Sequence, residues 1–327
     1  MSGSVAGRLT SSVEDSRTRL LRGLAYLSPN LFGFAVFTAL PVLAVFVFAF
    51  TKGEWTLVTD PATGHQSWDV TFCGLANFTR LWGDEEFWRS LWNTFVLMLA
   101  IPLSMAISLA LAILLNQKLP AQTIYRTLLF LPTVAAGIAL YMLWRQLYNP
   151  DAGLLNATLD GLGVFRLSEW LGLLRPGERP DWLGSPLLSK PSLLIMLVWI
   201  GMGGTNMILY LAGLQDIDPA LYEAAEIDGA GPWTKFLHIT WPSLRPTTFF
   251  ILTTNLIGGV QIFDQILIMT GGGPEGSTST VLFYIYRNVY VYQGQLGYAA
   301  ALSVVLFGVV FAITLLNWQL NAEARTA

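Results

Sequence analysis

Long apolar runs separated by polar connections dominate this chain. A helix needs about 20 predominantly apolar residues to cross the hydrocarbon core of a bilayer, and six stretches reach that length: 27–50, 91–115, 124–147, 192–214, 247–269 and 296–320. Each reads as a spanning helix, so the pattern predicts an all-α polytopic membrane protein. The organisation that follows is a tail at 1–26, a six-helix domain at 27–320 and a second tail at 321–327. The first run is too long for the apolar region of a cleaved signal and shows no small-residue cleavage site, so it stays as a helix.

Orientation rests on Lys and Arg, which accumulate on the cytoplasmic side. With the N-terminus inside, Arg8, Arg17, Arg19, Arg22, Lys118, Arg126, Lys235, Arg245 and Arg325 fall on the inner side, and the other nine basic residues fall outside. Nine against nine decides nothing. The first helix often dominates topology, and its four flanking arginines favour cytoplasmic termini. Connections 51–90, 148–191 and 270–295 then face outward. The first two are rich in Trp, Gly, Pro and acids, and are suited to capping the bundle. The inner side holds a tight turn at 116–123 and a longer connection at 215–245.

Composition narrows the function. The chain is 54% hydrophobic and only 12% charged, with a mean hydropathy of +0.54, against about 25% charge in a soluble domain. A net charge of −3 gives no basic footprint for nucleic acid. Cys73 is alone, which excludes an internal disulfide and a cysteine metal site. His65 and His238 are isolated and read as surface residues. Asn77-Phe78-Thr79 and Asn156-Ala157-Thr158 match the glycosylation sequon, a pattern short enough to arise by chance.

The inner connection is different in kind. Asp218 followed by Pro219 signals a helix start, an N-cap oxygen ahead of proline at the first helical position. Leu221, Ala224, Ala225 and Asp228 share one face at helical spacing. Gly229 and Gly231 break the helix, and Pro232 opens a second. The reading is a short helix–turn–helix between two spans, whose shallow alanine face a groove on another protein could receive. A plain surface connection explains the helices but not an alanine face beside Glu223.

Glu223-Ala224-Ala225, three residues, Gly229, nine residues, Ile239, two residues and Pro242 resemble the EAA loop of ABC importer permeases. In that family the loop docks into a cleft on a cytoplasmic ATPase. Trp241 stands where the family usually has leucine. The segments Pro29–Gly33, Phe87–Thr94, Tyr210–Gln215, Phe263-Asp264-Gln265, Thr270–Pro274 and Gly297–Ser303 are similar to the carbohydrate branch, related to the maltose and glycerol-phosphate systems. The segments Leu57–Asp69 and Val164–Pro180 are longer than in typical members.

The resemblance implies a type I ABC importer permease fold in a bacterial or archaeal cytoplasmic membrane. It implies a second permease as a heterodimer partner, two ATPase subunits and an extracytoplasmic sugar-binding protein, with membrane lipid around the bundle. The chain would bind no cofactor itself, ATP and Mg being used by the partner ATPase. Glu223, Ala224, Ala225, Gly229, Ile239 and Pro242 would serve coupling. Gly271–Thr278 half-resembles a phosphate-binding loop, but Ser277 replaces its lysine and a spanning helix precedes it.

Polar groups within spans are costly and mark function by default. Asp264 lies about 9 Å short of the outer end of the fifth predicted helix at 1.5 Å per residue, with Asn255 and Gln261 on the same helix and Asn206 in the fourth. Sugars are held by hydrogen bonds and aromatic faces, so these residues, with Trp199 and Tyr298, are candidates for lining a substrate pathway. Interhelical polar glue is an equal alternative for each. Arg145 ends its span and can snorkel. The reading is alternating-access sugar import. A polyol or glycerol phosphate is the alternative cargo. A secondary transporter should show repeated halves with broken helices, and an intramembrane enzyme should show paired acids or histidines.

Overall fold

The computed structural model describes residues 22–59, 66–117, 120–135, 137–171, 175, 177–292 and 295–326. Arg8, Arg17, Arg19, His65 and Lys118 lie outside these residues. The chain divides into two compact units, Met1–Phe78 with Gly294–Val304, and Thr79–Gln293 with Val305–Ala327.

The first unit opens with helix α1 (Arg22–Phe48). It continues into an antiparallel hairpin, β1 (Thr51–Thr59) with β2 (Gln66–Phe72), whose register shifts between Gly53 and Leu57. The hairpin occupies part of the connection at 51–90 and is the one departure from helix among the described residues. Helix α2 (Ala76–Trp82) follows. The first turns of the last helix, α15 (Leu296–Thr326), close this unit around Ala49, Ala300 and Ala301. Gly297 is required there because a Cβ would collide with the Thr51 carbonyl. Asn77 Nδ2 donates to the Ala49 and Thr51 carbonyls, both at 2.9 Å, pinning the end of α1.

The second unit contains α3 (Glu85–Asn116), α4 (Gln122–Val134), α5 (Gly137–Leu147), the outer helices α6 (Leu154–Gly161) and α7 (Val164–Trp170), and the bundle helices α8 (Ser189–Met202) and α9 (Gly204–Gln215). Next come α10 (Pro219–Ile227), α11 (Pro232–Lys235) running into a π-turn at Phe236–Thr240, α12 (Arg245–Val260), α13 (Asp264–Met269) and α14 (Val281–Tyr286). The inner half of its core gathers Met105, Leu109, Met207, Tyr210, Leu214 and Leu244. A second cluster holds Leu97, Tyr148, Leu193, Met196, Ile266 and Phe283.

Among the described residues three helices are long and apolar enough to cross a membrane: α1, α3 and the Leu296–Gln319 part of α15. The pairs α4/α5 and α8/α9 reach that length only as bent pairs, making up to five spans. The stretch expected as a continuous fifth span is broken. Helix α12 has 16 residues, about 24 Å at 1.5 Å per residue, and stops at Val260. Asp264 therefore opens a separate helix rather than lying inside the fifth. Helix α1 starts at Arg22 and α15 runs to Thr326.

Each break has a local cause. In α3 the turn at Leu99 precedes Pro102, which has no N–H to return to Met98. Between α8 and α9 the axis bends by 41° at Gly203. Gly204 there has a φ of +58°, and a Cβ on either glycine would strike Leu129 or Thr133 of α4. The Ser108 hydroxyl of α3, with one proton to give, lies 2.7 Å from both Met202 O and Ser104 O and 3.2 Å from Gly201 O, within reach of carbonyls beside the bend.

The segment Phe87–Thr94 interlocks with residues 275–281. Asn93, fully buried, donates to Gly276 O and Ser279 O, both at 2.9 Å. Ser90 reaches Ser279, Thr94 accepts the Val281 N–H at 3.1 Å, and Arg89 donates to Glu275 O. The helix start itself is fixed by Asp84, whose Oδ1 accepts from Glu86 and Phe87 N–H while Oδ2 accepts the Tyr284 hydroxyl at 2.6 Å. Burial, and then the bond to Asp84, push the Tyr284 phenol above its ordinary range, so it stays a donor. Arg287 pairs with Glu86 at the same junction. Replacing Asn93 with Leu strips donors from two buried carbonyls. Leaving buried polar groups unsatisfied costs about 1–3 kcal/mol each, so the expected outcome is a clearly lowered unfolding temperature for purified Asn93→Leu. A melting curve unchanged from the parent would contradict the interlock.

Candidate functional site

Helix α10 forms as its residues dictate. Asp218 Oδ1 accepts the Ala220 N–H at 2.9 Å ahead of Pro219. The helix ends in a Schellman arrangement. Ala230 N–H bonds to Ala225 O at 2.8 Å, Gly229 N–H bonds to Glu226 O at 3.0 Å, and Gly229 takes a φ of +76°. Nothing lies within 4 Å of a Cβ built on Gly229, so the backbone angle alone demands glycine.

Gly231 and Pro232 then start α11. Lys235 returns an ion pair to Glu226, and the Tyr222 hydroxyl meets Thr240 Oγ1 at 2.9 Å. Tyr222, Phe236 and Ile239 pack on the inner core beside Leu244, which fixes the angle of the segment.

The six coupling candidates thus divide. Gly229 shapes the turn, Ile239 is half-buried in packing, and Pro242 begins the turn Trp241–Ser243 that leads into α12. Glu223 and Ala224 are exposed, Ala225 is half-buried, and no residue of α10 is buried. Leu221 and Ile227 are exposed as well, Ile227 at 88%. The helix presents an uncovered, partly apolar face held in a fixed pose.

The polar candidates within the spans also separate. Asn206 and Asn255 join α9 to α12, Asn255 Nδ2 donating to Asn206 Oδ1 at 3.0 Å. Each also donates to its own helix neighbourhood, at Gly201 O and Ile251 O. Asn255 further lines a cavity of about 200 Å³ with Ser104, Thr254, Gln265 and small or apolar neighbours. Gln265 donates to the Tyr141 hydroxyl at 2.9 Å. Gln261 is exposed at the C-cap of α12, and Asp264 is exposed as the first residue of α13. Trp199 stands edge-on to Trp144 with centroids 5.4 Å apart. Tyr298, buried, belongs to the first unit and not to this group.

Sequence reasoning passed over Tyr141, Gln265, Ser104 and Thr254. Gln265 sits in a segment that had been singled out. Ser104 and Ser108, one turn apart on α3, form a polar stripe that could have been read as interior. A larger cavity of about 690 Å³ lies along α3 against Trp233, Phe236 and Trp241, but its walls are almost wholly apolar. Hydroxyl-rich solutes find no partners there.

Apolar helices, a polar cavity among them and an exposed helix–turn–helix between two of them describe a membrane transport component. The chain belongs to the family of binding-protein-dependent transport system inner membrane components, which its residues 117–322 match. It is 33% identical over 310 residues to the lactose transport system permease protein LacF of Rhizobium radiobacter, covering 93% of this chain and 95% of that one. It is 30% identical over 321 residues to the trehalose/maltose transport system permease protein MalF of Thermococcus litoralis, covering 97% and 98%. Its fold is similar to a chain in the crystal structure of a bacterial ABC transporter involved in the import of the acidic polysaccharide alginate. The TM-score is 0.75 at 24% identity, with 97% of this chain and 99% of that chain covered. The chain is a transport subunit of the inner membrane, not an enzyme.

The Asn206–Asn255 pair gives a direct test of glue against lining. Interhelical hydrogen bonds in membranes contribute about 0.6 kcal/mol on average and up to about 1.7. Asn206→Ala and Asn255→Ala should each lower stability by that order, and the double variant by less than the sum, because both remove the same two amide–amide bonds. Unfolding in detergent micelles checks this. Fully additive losses would show that the two amides act separately.

Proposed function

We propose that this chain is one permease subunit of an ATP-driven, binding-protein-dependent sugar importer working by alternating access. A second permease would complete the pathway, two ATPase subunits would bind beneath, and an extracytoplasmic binding protein would deliver sugar. ATP and Mg would act in the ATPases. The orientation places both termini and the connection at 215–245 in the cytoplasm. The sugar assignment is supported by the named substrates of the relatives, lactose and trehalose/maltose.

The observation that carries the coupling role is the pose of α10, exposed at Glu223 and Ala224 yet fixed by the Gly229 turn, the Tyr222–Thr240 bond and the Lys235–Glu226 pair. Closure of the ATPases would move α10 as a lever against α12 and rock the bundle. Nothing in this reading asks α10 to stabilise the spans, so its surface can change without unfolding the bundle.

Gly229→Val and Glu223→Lys should therefore express and insert normally while losing ATPase association and uptake. Valine forced to a φ near +76° carries a strain of about 1–3 kcal/mol, which tilts or frays α10. Gly229→Asn, which tolerates the left-handed region, should lose less. Co-purification of the ATPase with each variant, beside uptake in cells, is the measurement. Parental association and uptake in both variants would sink the coupling assignment.

Orientation has its own check. Cysteine at position 160 should label from outside and at position 226 should not, and the reverse pattern would invert the topology.

A further inference from the structure

We propose that α6 and α7 form an amphipathic hairpin whose apolar face rests in the headgroup region of the bilayer, so that a lipid surface covers it. The inference needs only that α5 and α8 cross the membrane. It depends neither on the cargo nor on the role of α10.

The hairpin is built with its polar groups turned to one another. Arg179 reaches between the two helices, 3.0 Å from Asp160 Oδ1 of α6 and 3.4 Å from Glu169 Oε1 of α7. Its guanidinium also stands 4.7 Å over the ring of buried Phe165. Glu169 accepts the Gly177 N–H at 2.9 Å as well. Buried Asn156 donates to the Pro150 and Pro180 carbonyls and accepts from Trp182 Nε1 at 2.7 Å.

The leucines are left outside. At 3.6 residues per turn, Val164, Leu167, Trp170 and Leu171 fall within about a third of the helix circumference, and all four are exposed, Trp170 at 81% and Leu167 at 56%. Phe165 and Glu169 lie on the opposite side, buried and half-buried. Leu162, in the turn between the helices, is exposed too. Single exposed leucines are ordinary, but a contiguous apolar face marks an interaction site.

Position and chemistry name the occupant. Helix α5 ends at Leu147, and the next residue, Tyr148, donates its hydroxyl to Ser192 O near the start of α8 at 2.9 Å. The Ser192 hydroxyl lies 3.1 Å from Trp182 O, and Trp182 holds Asn156 of α6. The hairpin is thus tied to the place where two spans reach the membrane boundary. Trp144, Tyr148 and Trp182 follow one another there with centroids 5.4 and 6.4 Å apart, the residue types that gather at a bilayer interface. A short helix with an apolar face, and with Arg166 exposed on its flank, has the form of one lying in the interface plane, its cation at the level of the lipid phosphates. A partner that comes and goes would leave Trp170 and the leucines in water between encounters, whereas a bilayer covers them throughout.

The test uses the full chain carrying Cys73→Ser, purified with its associated subunits and placed in nanodiscs of phosphatidylcholine and phosphatidylglycerol. Val164→Cys, Leu167→Cys, Trp170→Cys and Leu171→Cys each carry a nitroxide. Power-saturation EPR measures its collisions with oxygen, which concentrates in the bilayer, and with a nickel chelate, which stays in water. Asp151→Cys, at an exposed position, gives the water reference and a spin-labelled phospholipid the lipid reference. The four positions should show an oxygen-to-nickel ratio several-fold above that of Asp151→Cys, unchanged when sugar-loaded binding protein is added. If one labelled variant fails to assemble, the other three carry the same reading. Ratios equal to that of Asp151→Cys overturn the inference. So do low collision rates with both reagents, which would mean that a protein subunit covers the face. Protection that appears only with binding protein would give the face to that partner and overturn it equally.

Discussion

In a bilayer core an unpaired backbone N–H or C=O costs several kcal/mol, because no water is available to take the bond. That constraint governs where this chain can bend. The turn between α8 and α9 frees carbonyls at Gly201 and Met202, and Ser108 and Asn206 donate to them. The break after α12 frees Ile262, and Thr280 donates to it. Small side chains make these approaches possible, since Gly203 and Gly204 lie where any Cβ would strike α4. Bends, serines and glycines are one device, and the polar cavity lies beside it.

The helix–turn–helix at 218–243 obeys the opposite condition. Outside the spans it can leave backbone and side chains to water, so its shape comes from local capping rather than from partners across the bundle. Asp218 starts α10, Gly229 stops it, and Pro232 restarts the chain. What anchors it is a small set of tethers, Tyr222 to Thr240 and Lys235 to Glu226, with Ile239 in the inner core.

The polar and the apolar cavity lie in different physical surroundings. The cavity of about 690 Å³ is apolar and borders Trp233, Phe236 and Trp241, whereas the cavity of about 200 Å³ carries amides and hydroxyls. The outer interlock of α3 with residues 276–281 holds the far side of the same region through Asn93, Thr94 and Ser90. It connects the chain end of α13 to the helix start at Asp84.

Much of this was legible in the sequence. Runs of apolar residues have a length set by the bilayer, and capping residues act over three or four neighbours. The spans and the helix–turn–helix at 218–243 could therefore be read from local pattern, including the positive φ at Gly229. The hairpin at 51–72 was not read, because its pairing joins residues from Thr59 with Gln66 out to Thr51 with Phe72, beyond the reach of a local helical pattern. Nor was the break before Asp264, since an apolar run reads the same whether its helix is whole or interrupted. The bonds from Arg89, Ser90, Asn93 and Thr94 to residues 275–281 were hidden for the same reason: 183 positions separate Asn93 from Gly276. By itself the sequence determined which residues leave water and where helices start and stop, because those choices are local. Only the tertiary structure decided which polar groups meet, turning Asn206 and Asn255 into a pair and Gln265 into a partner of Tyr141, because those contacts depend on how distant helices pack.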